Sequence, residues 1–293
     1  MAEPGTYAVL VNPAAARGRA LRALAPAVRR LRSRGATVTV GCGTGAADAR
    51  RVAAEMAADR PDALVALGGD GIAHIAVQAV AGTGVPLGLV PAGTGNDLAR
   101  ALGVPCGDPP AAADVIAAGN VRVIDAATAG GEWFTTVLTG GFASRVAERV
   151  YRGAAGGGRL AYVAAVAAEL RVFRPVPFTL ELDGEPWHTE AMLVAVANTG
   201  AFGGGMRICP GADPGDGRLD VCVVGPVSRA EFVRVFPRVY RGTHTAHPDV
   251  RIRRAATVRM CAPGDVGYAD GERMPDLPLT VDCAPGALRV VVP

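Results

Sequence analysis

Three short strings in the first third of the chain place glycine, asparagine, threonine and aspartate directly after apolar runs. They are Asn12-Pro13 after YAVLV, Gly68-Gly69-Asp70-Gly71 after ALVAL, and Pro91-Ala92-Gly93-Thr94-Gly95-Asn96-Asp97 after VPLGLV. Glycine lets a backbone approach a phosphate closely, and the helix that follows offers unpaired N–H groups and a favourable dipole. The Asp70 carboxylate would sit among those amides, where it could hold Mg²⁺, hydrogen-bond a bound phosphate compound or orient an acceptor hydroxyl. Each string also has a plainer reading. Asn-Pro starts turns, Asp-Gly is a turn pair, and Asn96 or Asp97 is a preferred helix N-cap.

The second half holds a looser set: Asn198, Gly203-Gly204-Gly205, Pro210-Gly211-Ala212-Asp213, Asp216-Gly217-Arg218-Leu219-Asp220 and Tyr268-Ala269-Asp270-Gly271-Glu272. Asp270 and Glu272 offer two carboxylates on one tight turn, either of which could accept a hydroxyl proton. By itself Asp270-Gly271 reads as a hairpin turn. His244 and His247 lack the accompanying ligands of a metal site and read as a loop after a helix. Arg251, Arg253 and Arg254 alternate as on a strand, either to attract an anionic membrane or, more simply, as a solvated face. Arg159 to Phe173 mixes apolar and basic residues and could border a lipid cleft or pack as core.

The elements that must carry these residues alternate through the first 120 positions. Strands at 7–11, 36–40, 63–67 and 85–90 interleave with helices to about Ser33, over 46–58 and 72–81, and from about Asn96, with a further helix at 110–118. That pattern is a mostly parallel sheet with covering helices, whose ligands bind beyond the carboxyl ends of the strands. From Val121 the character changes. Strands at 176–183, 190–197, 218–224, 249–260, 277–283 and 287–292 dominate, with a helical stretch over 143–171 broken by GAAGGG and a helix over 228–240. The expected fold class is α/β, an N-terminal three-layer α/β domain over residues 1–123 followed by a β-sandwich-like domain over 124–293.

Composition narrows the chemistry. All 30 Lys+Arg residues are arginine, which rules out any mechanism needing a phosphate-binding or Schiff-base lysine. Phosphate must be held by main-chain amides, arginine or metal. A net charge of +3 and 5% aromatic residues argue against nucleic acid. Six scattered cysteines without a C-x-x-C pair read as reduced core residues. The N-terminal residues lack a signal-peptide pattern, and no apolar run reaches the ~18–20 residues of a membrane span. The expected location is cytoplasmic, with a peripheral face on the membrane as an option.

Taken together, Asn12-Pro13, GGDG at 68–71 and PAGTGNDLAR at 91–100 resemble the nucleotide-binding motifs of the diacylglycerol kinase catalytic family, which includes sphingosine and ceramide kinases and bacterial lipid kinases. The second-half strings resemble that family's second domain. The resemblance implies an active site between the domains, ATP and Mg²⁺ as cofactors, and a lipid hydroxyl as acceptor. It implies contacts to ATP from Asn12, Thr44, Gly68, Gly69, Asp70, Gly71, Gly93, Thr94, Gly95 and Asn96. Asp270 would be the base ahead of Glu272. Asp216, with the carbonyls of Asp213 and Arg218, would match a structural Mg²⁺ site. The sequence departs from the family at Ile72, His74 and Ile75, where Thr, Asn and Glu are usual, and at Ala16, where Arg17 could compensate by charge. The alternatives are an NAD- or sugar-kinase-like enzyme and a non-catalytic nucleotide- or lipid-binding protein. The acceptor and the oligomeric state, a homodimer among the options, stay open.

Overall fold

The computed structural model describes residues 5–12, 18–152 and 159–293. The chain opens with β1 (Thr6–Val11), α1 (Arg19–Ser33), β2 (Thr37–Cys42), α2 (Ala46–Ala58), β3 (Ala63–Gly68), α3 (Asp70–Val80), β4 (Leu87–Pro91), α4 (Asp97–Ala101), α5 (Pro109–Ala118) and β5 (Val121–Ala129). β3 and β4 are buried along their whole length, as their unbroken apolar sequences require of central parallel strands. Helix α1 turns Ala20, Ala23, Ala27, Val28 and Leu31 inward and leaves its arginines outside. The strand order is β2-β1-β3-β4, all parallel, with Val11 level with Cys42 and Leu67, and Gly68 level with Pro91. That register brings Asn12, Thr44, the GGDG loop and the PAGTG loop to one edge of the sheet.

The remainder comprises β6 (Glu132–Phe134), β7 (Val137–Gly141), α6 (Phe142–Arg152), α7 (Arg159–Val172), β8 (Val176–Leu182), β9 (Glu185–Ala191), β10 (Leu193–Ala197), β11 (Leu219–Val224) and α8 (Arg229–Val235). Two 3₁₀ turns, Phe236–Arg241 and Thr243–Ala246, then lead into β12 (Val250–Ala255), β13 (Thr257–Cys261), β14 (Val266–Ala269), β15 (Glu272–Asp276) and β16 (Leu279–Val291). An antiparallel six-stranded sheet, β12-β11-β10-β7-β14-β15, faces the β16-β13-β8-β9 part of the larger sheet across a core containing Phe134, Phe178, Leu180 and Met260. Both the α/β half and the sandwich are therefore present.

Several expected elements differ. The run 190–197 divides at Met192, so that β9 lies in the larger sheet and β10 in the smaller; 249–260 divides at Ala256 in the same way. Conversely, 277–283 and 287–292 form the single strand β16, with Pro285-Gly286 absorbed in a register shift between Ala284 and Leu288. Gly286 adopts φ 64°, and its N–H donates to Asp125 Oδ1 at 2.8 Å, so a sequence that reads as a turn is held as a bulge. The helix expected over 228–240 tightens to 3₁₀ at Phe236-Pro237, since proline cannot supply the next helical N–H. The GAAGGG break lies outside the described residues.

The two halves share strands. Ile124, Ala126, Leu288 and Val290 belong to the core of the α/β half, whereas Ala127, Ala129, Leu279 and Val281 belong to the sandwich core. A cut after residue 123 would pass through β5, and the chain's last strand returns to pair in parallel with β4 at Val290 and Leu87. The cysteines are also divided: Cys209 and Cys222 are buried, but Cys42 and Cys106 are exposed.

Candidate active site

The GGDG and PAGTG loops touch backbone to backbone. A side chain at Gly93 would put its Cβ 2.4 Å from Gly69 Cα, and one at Gly95 would meet Asp70 Oδ2 at 2.4 Å. Gly68 sits at φ 154° with the Ile72 side chain packed over it. Asn96 does not cap α4. It adopts the left-handed conformation at φ 53°, its Oδ1 accepts from Gly93 N–H at 2.9 Å, and its amide donates back to Gly93 O at 3.1 Å. The cap comes from the other loop: Asp70 accepts from the N–H of Asn96 at 2.9 Å and of Asp97 at 2.7 Å. A shallow cleft lies between these loops, lined by Gly68, Gly69, Asp70, Pro91 and Asn96 among others. Thr94 stands at its rim, and its hydroxyl accepts from Arg19 at 2.8 Å. Asn12 ends β1 on the same edge. Thr44 is engaged locally, its N–H and hydroxyl both donating to Asp48. Pro13, Ala16 and Arg17 lie outside the described residues.

Three carboxylates are crowded where the halves meet. Burial pushes Asp97 up to about 6, and the charge of Asp70 adds to it, although the N–H groups of Gly204 and Gly203 oppose the shift. Burial likewise raises Asp70, with the Asp270 charge contributing. Asp270 goes the other way. Its burial favours the neutral acid, but His74, the Thr136 hydroxyl and the Thr135 amide outweigh that and hold it below the ordinary value.

Asp270-Gly271 is indeed the turn of the β14–β15 hairpin, with φ 52° and 86°. It is also part of the site. Asp270 Oδ2 accepts from Thr135 N–H at 2.9 Å, Oδ1 accepts from Thr136 N–H at 2.8 Å and its hydroxyl at 2.5 Å, and His74 Nδ1 stands 3.7 Å away. Both oxygens are thus occupied. Glu272, one residue beyond the turn, is exposed and makes no hydrogen bond or ion pair among the described residues. Its Oε1 lies 3.1 Å from where a Gly71 Cβ would be, so its carboxylate adjoins the GGDG loop.

Asp213, Asp216 and Arg218 lie away from this centre. Asp213 accepts from Arg122 at 3.2 Å, while Asp216 accepts from Arg218 N–H at 3.0 Å and contacts the Arg254 guanidinium. Among the described residues no three His, Cys, Asp or Glu side chains converge on a metal position. Asn198 is fully buried and donates to the carbonyls of Asp125 and Thr135, a tie between strands. Arg253 stacks on Trp187 at 4.4 Å, so with Arg254 on Asp216 the basic strand serves internal contacts.

Beside the carboxylates, α6, α7, α8 and the first 3₁₀ turn border an apolar cavity, partly open to solvent, against the smaller sheet; it is lined by Phe142, Val166, Phe202, Met206, Phe232 and Phe236 among others. Phe202 and Met206 bridge each other, and at the turn between them Gly204 N–H donates to Asp97 Oδ1 at 2.8 Å. Tyr162, another lining residue, has its phenol pushed up by burial and by Tyr240 and Asp97. The cavity and the glycine loops therefore meet at Asp97.

Comparison with known proteins gives this geometry its context. The diacylglycerol kinase catalytic domain model matches residues 6–129, and the YegS C-terminal NAD kinase beta sandwich-like domain model matches 136–292. A diacylglycerol kinase of Mycobacterium tuberculosis is 40% identical, over 99% of this chain and 96% of its own length. The chain belongs to the diacylglycerol kinase family. A diacylglycerol kinase of Bacillus subtilis is 31% identical over 86% of the chain and 84% of its own length. A crystal structure of a Bacillus anthracis diacylglycerol kinase superposes with a TM-score of 0.77 at 22% identity, covering 100% and 98% of the two chains. Yeast NADH kinase shares the fold more distantly, with a TM-score of 0.54 at 14% identity, over 99% of this chain and 84% of the yeast chain.

Against the family pattern, Ile72, His74 and Ile75 are all buried. His74 packs, and it also faces Asp270 and, at 3.6 Å, Glu132. Four residues at this kinase-family site escaped the sequence reading. Asp97 was hidden inside the PAGTGND string as a capping candidate. Arg19 looked like one more arginine of an amphipathic helix. Thr135 and Thr136 carried no motif at all; only the TT pair before an apolar strand hinted at them.

Proposed function

We propose that the chain transfers the γ-phosphoryl group of ATP to the hydroxyl of a lipid acceptor such as diacylglycerol. The observation that carries this reading is the apolar cavity, joined to the carboxylate cluster through the Gly204–Asp97 hydrogen bond. A cavity walled by phenylalanine, valine and methionine suits an acyl chain far better than a nicotinamide ribose or a sugar. The names of the relatives point the same way.

In this reading the nucleotide lies along the strand edge, contacted by Asn12, Thr44, the GGDG loop and the residues from Gly93 to Asn96. The phosphates take their hydrogen bonds from main-chain amides, and Arg19 beside Thr94 supplies the charge that a lysine supplies elsewhere. Mg²⁺ bound with the nucleotide would supply neutralisation of phosphate charge, for which Asp70 beside the glycine loops is the carboxylate at hand. The acceptor oxygen attacks the γ-phosphorus, the bond to the bridging β,γ oxygen breaks, ADP leaves, and the hydroxyl proton passes to a carboxylate. Glu272 is the better base, because its oxygens are open and adjoin Gly71, whereas those of Asp270 are filled by threonine donors. Asp270 holds the β14–β15 hairpin against Thr135 and Thr136 and so aims Glu272. The structural Mg²⁺ implied at Asp216 would draw only on oxygen donors, the carboxylate and the carbonyls of 213 and 218, which suits that ion. It would compete with Arg254, which has Asp220 3.8 Å away as a second partner.

The test is acceptor-dependent ADP formation from MgATP with diacylglycerol in mixed micelles, beside NAD and free sugars as soluble acceptors. Turnover with the lipid alone supports the reading; turnover only with a soluble acceptor, or with none, overturns it.

A further inference from the structure

Two buried thiols and a buried histidine take no part in the phosphoryl-transfer reading. Cys209 and Cys222 are both 0% exposed, whereas Cys42 and Cys106 are exposed and Cys261 and Cys283 are half-buried. Side chains alternate across a strand, and in β11 Leu219, Val221 and Val223 enter the sandwich core. Cys222 therefore points to the opposite face, where it shares a cluster with Cys209, Met206 and Ile208. Val224, two residues on and on that same face, lines the apolar cavity, as do Met206, Ile208 and His244. The two thiols thus sit immediately behind the cavity wall.

His244 is placed as a base for them. Its Nε2 meets the Ile208 carbonyl at 3.1 Å, and a carbonyl only accepts, so Nε2 carries the proton of the neutral ring. The lone pair is left on Nδ1, which is buried and has no hydrogen-bond partner among the described residues. The Cys222 thiol lies within hydrogen-bonding reach of the Cys209 thiol and of the His244 ring, and these hold it below the ordinary thiol range in spite of its burial. Cys209 moves the other way, raised by Cys222 and by burial, and its Sγ donates to the Asp220 carbonyl at 3.6 Å. One thiol is prepared as a nucleophile while its neighbour stays protonated, which is the division of labour between an attacking and a resolving cysteine.

We propose that Cys222, Cys209 and His244 form a dithiol site that reduces an organic hydroperoxide reaching it through the apolar cavity. The site is independent of phosphoryl transfer and does not rest on that reading. His244 takes the Cys222 proton. The thiolate attacks the outer oxygen of R–O–O–H, the O–O bond breaks, and the alkoxide leaves as R–OH with the proton held by His244. Cys222 is then a sulfenic acid. The Cys209 sulfur attacks it, the S–O bond breaks, the hydroxyl departs as water with the Cys209 proton, and a Cys209–Cys222 disulfide remains. Two thiols are oxidised and one peroxide is reduced to an alcohol and water, so the hydroperoxide is the only reagent consumed. Apolar walls favour an alkyl or aryl hydroperoxide over hydrogen peroxide.

The experiment treats the whole reduced protein, carrying Cys42→Ser/Cys106→Ser to silence the exposed thiols, with one equivalent of cumene hydroperoxide. The expected result is release of cumyl alcohol and a bridge between the peptides carrying Cys209 and Cys222, mapped by mass spectrometry after the remaining thiols are alkylated. Bridging should be roughly tenfold faster than with hydrogen peroxide. Cys209→Ser should stop at a sulfenic acid on Cys222 that dimedone captures, Cys222→Ser should release no alcohol, and His244→Gln should slow the reaction roughly tenfold. Val166→Trp, which fills part of the cavity, should slow cumene hydroperoxide more than hydrogen peroxide. Oxidation confined to Cys261 or Cys283, alcohol release undiminished in Cys222→Ser, bridging only after denaturation, or equal rates with the two peroxides overturns the site.

Discussion

Replacing Asp97 by asparagine should make the protein more stable at neutral pH while impairing its chemistry. Asp97 is pushed to about 6 in the fold, by burial first and by Asp70 second, against an ordinary value of 3.8. Because the folded value is the higher one, the folded chain holds the proton more tightly than the unfolded chain between about pH 4 and pH 6. Stability is therefore lost as pH rises through that window, by about 3 kcal/mol at most. Asparagine removes the charge but keeps an oxygen for the Gly204 N–H, 2.8 Å away in the parent. At pH 7.5 the variant should melt about 5–10 °C above the parent, taking about 2–4 °C per kcal/mol for a domain of this size. The two should draw together as pH falls and converge only below about pH 3, where Asp97 is protonated in both states. Thermal denaturation followed by circular dichroism across this range is the assay. Asp270 titrates in the opposite sense at more acid pH, and Asp70 in the same sense as Asp97, so the comparison is the difference between the two proteins at each pH. A variant no more stable than the parent at pH 7.5, or a gap that stays constant from pH 7.5 down to about pH 3, would refute the reasoning.

The two carboxylates of the hairpin should separate by stability. Glu272→Gln leaves the thermal midpoint unchanged and lowers kcat at least ~100-fold, whereas Asp270→Asn costs about 2–4 kcal/mol, because its amide points a donor at the Thr135 or Thr136 N–H. Gly93→Ala, whose Cβ would sit 2.4 Å from Gly69 Cα, should force the glycine loops apart and abolish ATP binding in calorimetry. Val166→Trp fills part of the cavity and should raise KM for a long-chain acceptor at least tenfold with KM for ATP unaltered; a parallel rise in both would count against the cavity as the acceptor site.

How much of this was legible in the sequence depends on the range of the interaction. The β–α junctions were readable because each is local: an apolar run, a glycine turn and a helix, all within a dozen residues. The strand edge that gathers Asn12, Gly68 and Pro91 followed from parallel order alone. What the sequence hid was the partner of each group. Asn96 has the composition of an N-cap, yet Asp70, 26 residues earlier, takes that role. The partners of Asp270, Thr135 and Thr136, lie 135 and 134 positions earlier in the chain. The 190–197 and 249–260 runs divide between sheets because single residues, Met192 and Ala256, change the face presented, which periodicity over eight residues does not register. Pro285-Gly286 resembles a turn, and only the Asp125 carboxylate, 161 positions away, makes it a bulge.

Strand β16 has a consequence for biosynthesis. Its final residues, Leu288 and Val290, complete the core of the half that is translated first. That half cannot close its sheet as it leaves the ribosome; it waits, with an unsatisfied edge at β4 and β5, until β16 emerges. The nascent chain is thereby kept from finishing its α/β half before the sandwich half exists.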